Sequence, residues 1–135
     1  MELNECYKRG FIKKTKPSTN LIKSLIEMSD MKELTVNEAK LNEVNISVYV
    51  SMAYDSLREV LEALCISKGY KVTSHICIGE LLKTLVIGFN FVDFDRLRYI
   101  RNSINYYGTK IDYDQGRELI KKIFKIKKDI TNNFK

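Results

Sequence analysis

A chain of 135 residues, 44% apolar and 30% charged, has the length for one domain with one core, and its interspersed apolar residues exclude a disordered polyelectrolyte. A single proline and no tryptophan suit long helices better than many short strands. The net charge of +6 favours anionic partners such as nucleic acid or nucleotides, with a plain Lys-rich surface as the alternative.

In chain order, residues 1–10 read as a short helix ending at Gly10. Residues 11–17, Phe-Ile-Lys-Lys-Thr-Lys-Pro, read as a basic arm that stops at the proline. No acidic residue lies between Cys6 and Ile26, whereas Lys8, Arg9, Lys13, Lys14, Lys16 and Lys23 are basic, which makes a local positive patch, most simply a solvated arm. Ser18 or Thr19 can cap a helix carrying Leu21, Ile22, Leu25, Ile26 and Met28. Thr35-Val-Asn-Glu38 matches a capping box and predicts that a short helix restarts there.

Asn45 can cap the longest helix, roughly 46–68, with an apolar stripe of Val50, Ala53, Leu57, Val60, Leu61 and Leu64 at spacings of three and four. The alternation Ile46, Val48, Val50 competes as a strand, but the helical stripe continues past it without a turn residue. Gly69 ends this helix. Thr73 or Ser74 opens another through Leu81, Leu82, Leu85 and Val86, closed by Gly88. Asp93 caps a fourth over 94–107, closed by Gly108 with Tyr107 covering the end. Asp112-Tyr-Asp-Gln115 caps a fifth with Leu119, Ile120, Ile123, Ile126 and Ile130 inward. The expected fold is all-α: an antiparallel up-and-down bundle of four or five helices over roughly 18–133, within one domain spanning 1–135 and preceded by the arm 1–17.

Cys6, Cys65 and Cys77 are odd in number and form no CxxC pair, so the reading is free thiols in a reducing compartment, with Cys65 packed as a small apolar residue. One histidine, His75, with scattered cysteines makes a poor zinc set, so no metal and no cofactor are expected. The first residues lack a charged-then-apolar order, and the most apolar stretch, Leu81–Val92, is too short and interrupted to span a bilayer. A cytoplasmic protein without a membrane partner is expected. The loops of P-loop ATPases, zinc proteases and serine hydrolases are missing.

The chemically informative stretch is Asp95–Lys110. On a helix, Phe94, Leu97, Ile100 and Ile104 fall inward, Arg98, Arg101 and Asn105 share another face, and Asn102 and Tyr106 flank it. No acidic residue occurs from Arg96 to Ile111. Guanidinium groups hold phosphate through paired hydrogen bonds, and amide and phenol groups can read or stack on bases. The face therefore suits an anionic ligand, although arginine-rich helix faces are also commonly solvated or packed in dimers. Arg58 and Glu62 are expected to pair as a modest exposed contact, and Asp55 or Ser56 is a candidate to face this helix and order Arg101. His75, near another helix start, is read as satisfied or exposed and remote from this face.

Two blocks resemble the HEPN family, named for nucleotide-binding domains of higher eukaryotes and prokaryotes. Tyr54-Asp-Ser-Leu-Arg-Glu-Val-Leu-Glu-Ala-Leu-Cys-Ile-Ser-Lys-Gly69, followed by Ser74-His, looks like the second helix and turn of these domains. Arg101-Asn-Ser-Ile-Asn-Tyr-Tyr-Gly108 is similar to their signature near the fourth helix. The resemblance covers about residues 18–130. It implies a bundle that dimerises and, in active members, a metal-independent ribonuclease site of Arg, often Asn, and then His, at the dimer interface. Other members bind nucleotides or partner small nucleotidyltransferases in toxin–antitoxin pairs.

Arg101 and Asn102 match the first half of that signature, while Asn105 or Tyr106 stands where the His belongs. Asn does not titrate and a phenol titrates near 10, so the usual proton shuttle, worth roughly a hundredfold to ten-thousandfold, is missing. The expectation is therefore a homodimer that binds RNA or a nucleotide through Arg98, Arg101, Asn102, Asn105 and Tyr106 and cleaves weakly or not at all. The alternatives are a ribonuclease using Arg101 and Tyr106, or a non-catalytic partner of a nucleotidyltransferase.

Overall fold

A computed structural model describes residues 1–132. Among them the order is α1 (Leu3–Lys8), β1 (Ile12–Lys14), α2 (Thr19–Glu38), α3 (Ile46–Ser67), β2 (Tyr70–Val72), α4 (His75–Leu85), α5 (Phe91–Tyr107) and α6 (Tyr113–Thr131). The protein is mostly helical and compatible with an all-α bundle, with one small sheet added. Residue 133, where the expected bundle ends, lies outside the described residues.

The core forms around α3. Val50, Ala53, Leu57, Val60, Leu61 and Leu64 are all buried, with Ile46, Tyr54 and Cys65 widening the same stripe, and so are Ser56, Glu59, Ala63 and Ile66 on the other side. A stripe this wide means that α3 is covered by several partners rather than one. On α6, Ile120, Ile123, Ile126 and Ile130 are buried at spacings of three and four, with Leu119 only partly covered. Helices α3 and α6 approach closely where a Cβ on Gly116 would overlap Ile46 Cγ1.

Polar contacts fix the register of α2. Ser29 and Ser56 are fully buried and exchange hydrogen bonds, Ser29 Oγ donating to the Ser56 carbonyl at 2.6 Å and Ser56 Oγ to the Ser29 carbonyl at 2.8 Å. Lys32 pairs with buried Glu59 at 2.7 Å. Lys127 of α6, itself buried, lies 2.9 Å from Asp30 and 2.6 Å from Glu33. A buried ammonium needs such carboxylates to offset its lost hydration.

Several termini follow the expected chemistry. Ser18 Oγ accepts from the Leu21 N–H and Asp112 from the Gln115 N–H, and Gly69 and Gly108 adopt left-handed conformations that end α3 and α5. Others differ. Thr35 starts no new helix: α2 runs through to Glu38, and the Thr35 hydroxyl donates to the Met31 carbonyl. Asn90, not Asp93, caps α5, accepting from the Asp93 N–H at 3.2 Å. Asn45 precedes α3 but accepts from the Asn42 N–H, so its side chain closes the preceding turn. On α2, Leu21 and Met28 are exposed rather than packed inward. Tyr107, 83% exposed, covers nothing.

The N-terminal segment is not a loose arm. Strand β1 pairs antiparallel with β2 in the register Ile12↔Val72, Lys13↔Lys71, Lys14↔Tyr70. Ile12 and Val72 turn one face of the ribbon into the core. Cys6 and Cys77 are joined by a disulfide between α1 and the first turn of α4, which corrects the expectation of free thiols; Cys65 alone is free, and it is buried. The count and spacing of cysteines could not show this, because the pairing joins residues brought together only by the ribbon. No described helix is long and apolar enough to cross a membrane.

Candidate functional site

Two polar stripes meet where α5 crosses α3. Ser51, Asp55, Arg58 and Glu62 recur at spacings of four, three and four, so they share a face of α3. Arg98, Arg101 and Asn105 do the same on α5. Buried Phe94 and Leu97, together with partly buried Ile104, hold α5 down and so aim the arginines at that stripe.

Arg101 Nη2 lies 3.1 Å from Asp55 Oδ1. Asp55 also faces Arg58 Nε at 3.8 Å, and Arg58 Nη1 binds Glu62 at 2.6 Å. The result is a row of alternating charge, Arg101–Asp55–Arg58–Glu62, whose formal sum is zero. Asn105 completes it: with its amide oxygen turned to the guanidinium, it accepts from Arg101 Nε at 3.1 Å and its nitrogen donates to Ser51 Oγ at 3.0 Å. Arg98 is bound within its own helix, Nη2 to Asp95 at 3.0 Å. The acid-free face expected from the sequence is therefore corrected. The stretch 96–111 has no carboxylate of its own, but α3 supplies one to Arg101 and the preceding turn of α5 supplies one to Arg98.

Of the other expected site residues, Asn102 is half-buried and Tyr106 is 72% exposed. Of the two residues proposed to order Arg101, Asp55 does so, while Ser56 faces α2. The Arg58–Glu62 contact is part-buried rather than exposed.

The sequence missed two members. Tyr54 is fully buried beneath the row, its ring stacked on Phe94 at 5.9 Å and 5.7 Å from the Arg101 guanidinium. Its hydroxyl has no hydrogen-bond partner among the described residues, and burial raises its pKa well above the ordinary phenol value. His75, read as remote, comes to this place: its ring lies 6.1 Å from that of Tyr54. Burial, then the positive charges of Arg58 and Arg101, lower its pKa to about 4. It is neutral at pH 7 and a weak base there. Local spacing carries no signal for this contact, which depends on how α4 crosses α3.

The arrangement can present one edge of a guanidinium beside neutral amides, an imidazole and a buried phenol. It holds no uncompensated positive charge within one subunit. No group of His, Cys, Asp and Glu suited to a metal ion occurs among the described residues. Comparison with protein-family models, curated proteins and solved structures finds no match to this chain.

Proposed function

We propose that this chain is a HEPN-like bundle that works by binding rather than by cleavage, and that its α3–α5 face, paired with that of a second copy, holds RNA or a nucleotide. The observation that carries the non-catalytic part is His75. It is the sole imidazole of the chain and its ring lies 6.1 Å from that of Tyr54, which underlies Arg101, yet its pKa near 4 is mismatched to proton transfer at neutral pH. Tyr106 is 72% exposed, and phenols as a class are weak acids at neutral pH.

Binding on this face carries a condition. A phosphate reaching Arg101 must displace Asp55 or approach the guanidinium edge that Asp55 and Asn105 leave open. Asp55→Asn removes the competing charge while preserving shape. Labelled RNA and mononucleotides are titrated at low salt against wild type, Asp55→Asn and Arg101→Ala. The reading expects Asp55→Asn to bind several-fold more tightly and Arg101→Ala more weakly. Equal binding by all three variants, or by none, rejects it.

A second reading has its own observation. Tyr99, Tyr106 and Tyr107 are 69%, 72% and 83% exposed on α5, and Val44 and Val48 are exposed at the start of α3. Tyrosines of this kind are enriched at protein interfaces. They fit a homodimer or a protein partner such as a small nucleotidyltransferase, with the self-neutralised row buried between chains. Light scattering of wild type and Tyr99→Ser/Tyr106→Ser tests the homodimer. A monomer in both cases removes it and leaves a different partner.

A further inference from the structure

The charge of this protein is unevenly placed, and the sheet explains where it gathers. Residues 6–26 and 63–79 contain eight lysines and arginines and no aspartate or glutamate. That leaves fifteen basic residues against seventeen acidic ones elsewhere, so the whole positive excess resides in these two segments. Far apart in sequence, they are hydrogen-bonded to each other as β1 and β2. Thr15 N–H donates to the Gly69 carbonyl and Thr73 N–H to the Phe11 carbonyl, extending the union at both ends.

The register places Lys13 opposite Lys71 on the outward face. Like charges directly opposed across a strand pair destabilise it, and the register that buries Ile12 and Val72 imposes this opposition. Both are exposed, as are Lys14, Lys16 and Lys68, and none of the five has an ion-pair partner among the described residues. Two carboxylates of the adjoining helices are already engaged. Glu5 pairs with Arg9 at 3.3 Å, and Glu62, which lines the groove beside Lys71, is bound to Arg58 at 2.6 Å. At the edge of the ribbon Tyr7, 42% exposed, stands against the phenol of Tyr70.

We infer that the β1–β2 ribbon is a binding surface for single-stranded nucleic acid, with Lys13, Lys14, Lys16, Lys68 and Lys71 on the phosphates and Tyr7 as a platform for an unpaired base. Unpartnered lysines interleaved with an aromatic ring are what a sugar–phosphate chain with splayed bases requires. A membrane surface would also want apolar side chains to insert, and the outward face of the ribbon presents lysines. This surface is separate from the α3–α5 row. Along α3, Lys68 is about 20 Å from Asp55 at roughly 1.5 Å per residue, so one strand of several nucleotides could touch both, but neither site needs the other.

The test is binding of the full chain to a labelled single-stranded RNA, the matching single-stranded DNA, the duplex, and phosphatidylcholine vesicles containing phosphatidylserine, each across a salt series. Five lysine–phosphate contacts on a single strand give a slope of log K against log salt of about −3.5. Lys13→Gln/Lys71→Gln lowers that slope by about 1.4 and weakens binding at 0.1 M salt roughly 25-fold, with an unchanged or raised melting temperature because a repulsion is removed. Tyr7→Ala weakens single-strand binding about tenfold and duplex binding little. Made in an Arg101→Ala background, whatever loss that substitution itself causes, the double lysine substitution produces the same further drop in slope, which separates this surface from the α3–α5 proposal. Three outcomes overturn the inference: no binding at low salt, a slope indifferent to the double substitution, or preference for the vesicles over every nucleic acid.

Discussion

The guanidinium of Arg101 and the carboxylate of Asp55 meet at 3.1 Å across the α3–α5 crossing, with 14% and 22% of their side chains exposed. That partial burial sets what the pair contributes. Exposed pairs contribute roughly 0.2–1 kcal/mol, whereas breaking a fully buried one costs about 3–5 kcal/mol. A double-mutant cycle of Arg101→Ala and Asp55→Ala should give a coupling of about 1–2 kcal/mol in urea unfolding. Coupling indistinguishable from zero would mean that this pair adds nothing to the apolar packing of Phe94, Leu97 and Ile104 that holds α5.

His75 makes stability depend on pH in a defined direction. Its folded pKa of about 4 lies below the ordinary 6.5, mainly through burial. Between these values the unfolded chain binds a proton that the native protein does not, so its contribution to stability is complete above pH 6.5 and is lost as pH falls toward 4. The ring is only half-buried, and solvent screening reduces the size to on the order of 1 kcal/mol. NMR titration should place the imidazole midpoint near 4, and His75→Gln should flatten this part of the stability profile. A midpoint at 6 or above would contradict the partial burial and nearby positive charge that lower this pKa.

The Cys6–Cys77 disulfide closes a span of 71 residues. Chain-entropy reasoning gives an upper figure of about 4 kcal/mol for a loop of this length, and measured values often fall short of it. Reduction should therefore lower stability by about 2–4 kcal/mol and loosen the ribbon before the α3 core, since α1 is a single short helix. Alkylation in denaturant without reductant should label Cys65 alone. Labelling of all three cysteines would show the protein isolated in the reduced state.

Gly116 lets α6 lie directly on α3. An added methyl would overlap Ile46 Cγ1 and press on Val50. Gly116→Ala should thus destabilise the protein by about 1–3 kcal/mol, despite the better helix propensity of alanine, because overpacking outweighs the roughly 1 kcal/mol gained locally. Chemical denaturation measures the difference, and Gly116→Ala/Ile46→Val should recover part of it. A stabilised single variant would mean that the two helices can part without loss.

Sequence by itself determined the helices. Apolar residues at spacings of three and four recur over α3 and α6, and glycine ends α3 and α5, so periodicity and backbone freedom marked most boundaries. It also supplied the α5 half of the candidate site, Arg98, Arg101 and Asn105, and named Asp55 as one of two candidates to face it, because spacing along a helix decides which side chains share a face. Only the tertiary structure decided that these stripes neutralise each other, that His75 joins them, that Cys6 reaches Cys77, and that two lysine-bearing segments pair as a ribbon. Each depends on partners distant in the chain. Helical periodicity is local, whereas charge compensation, disulfide pairing and three-residue strands arise from whichever segments the packed core brings together.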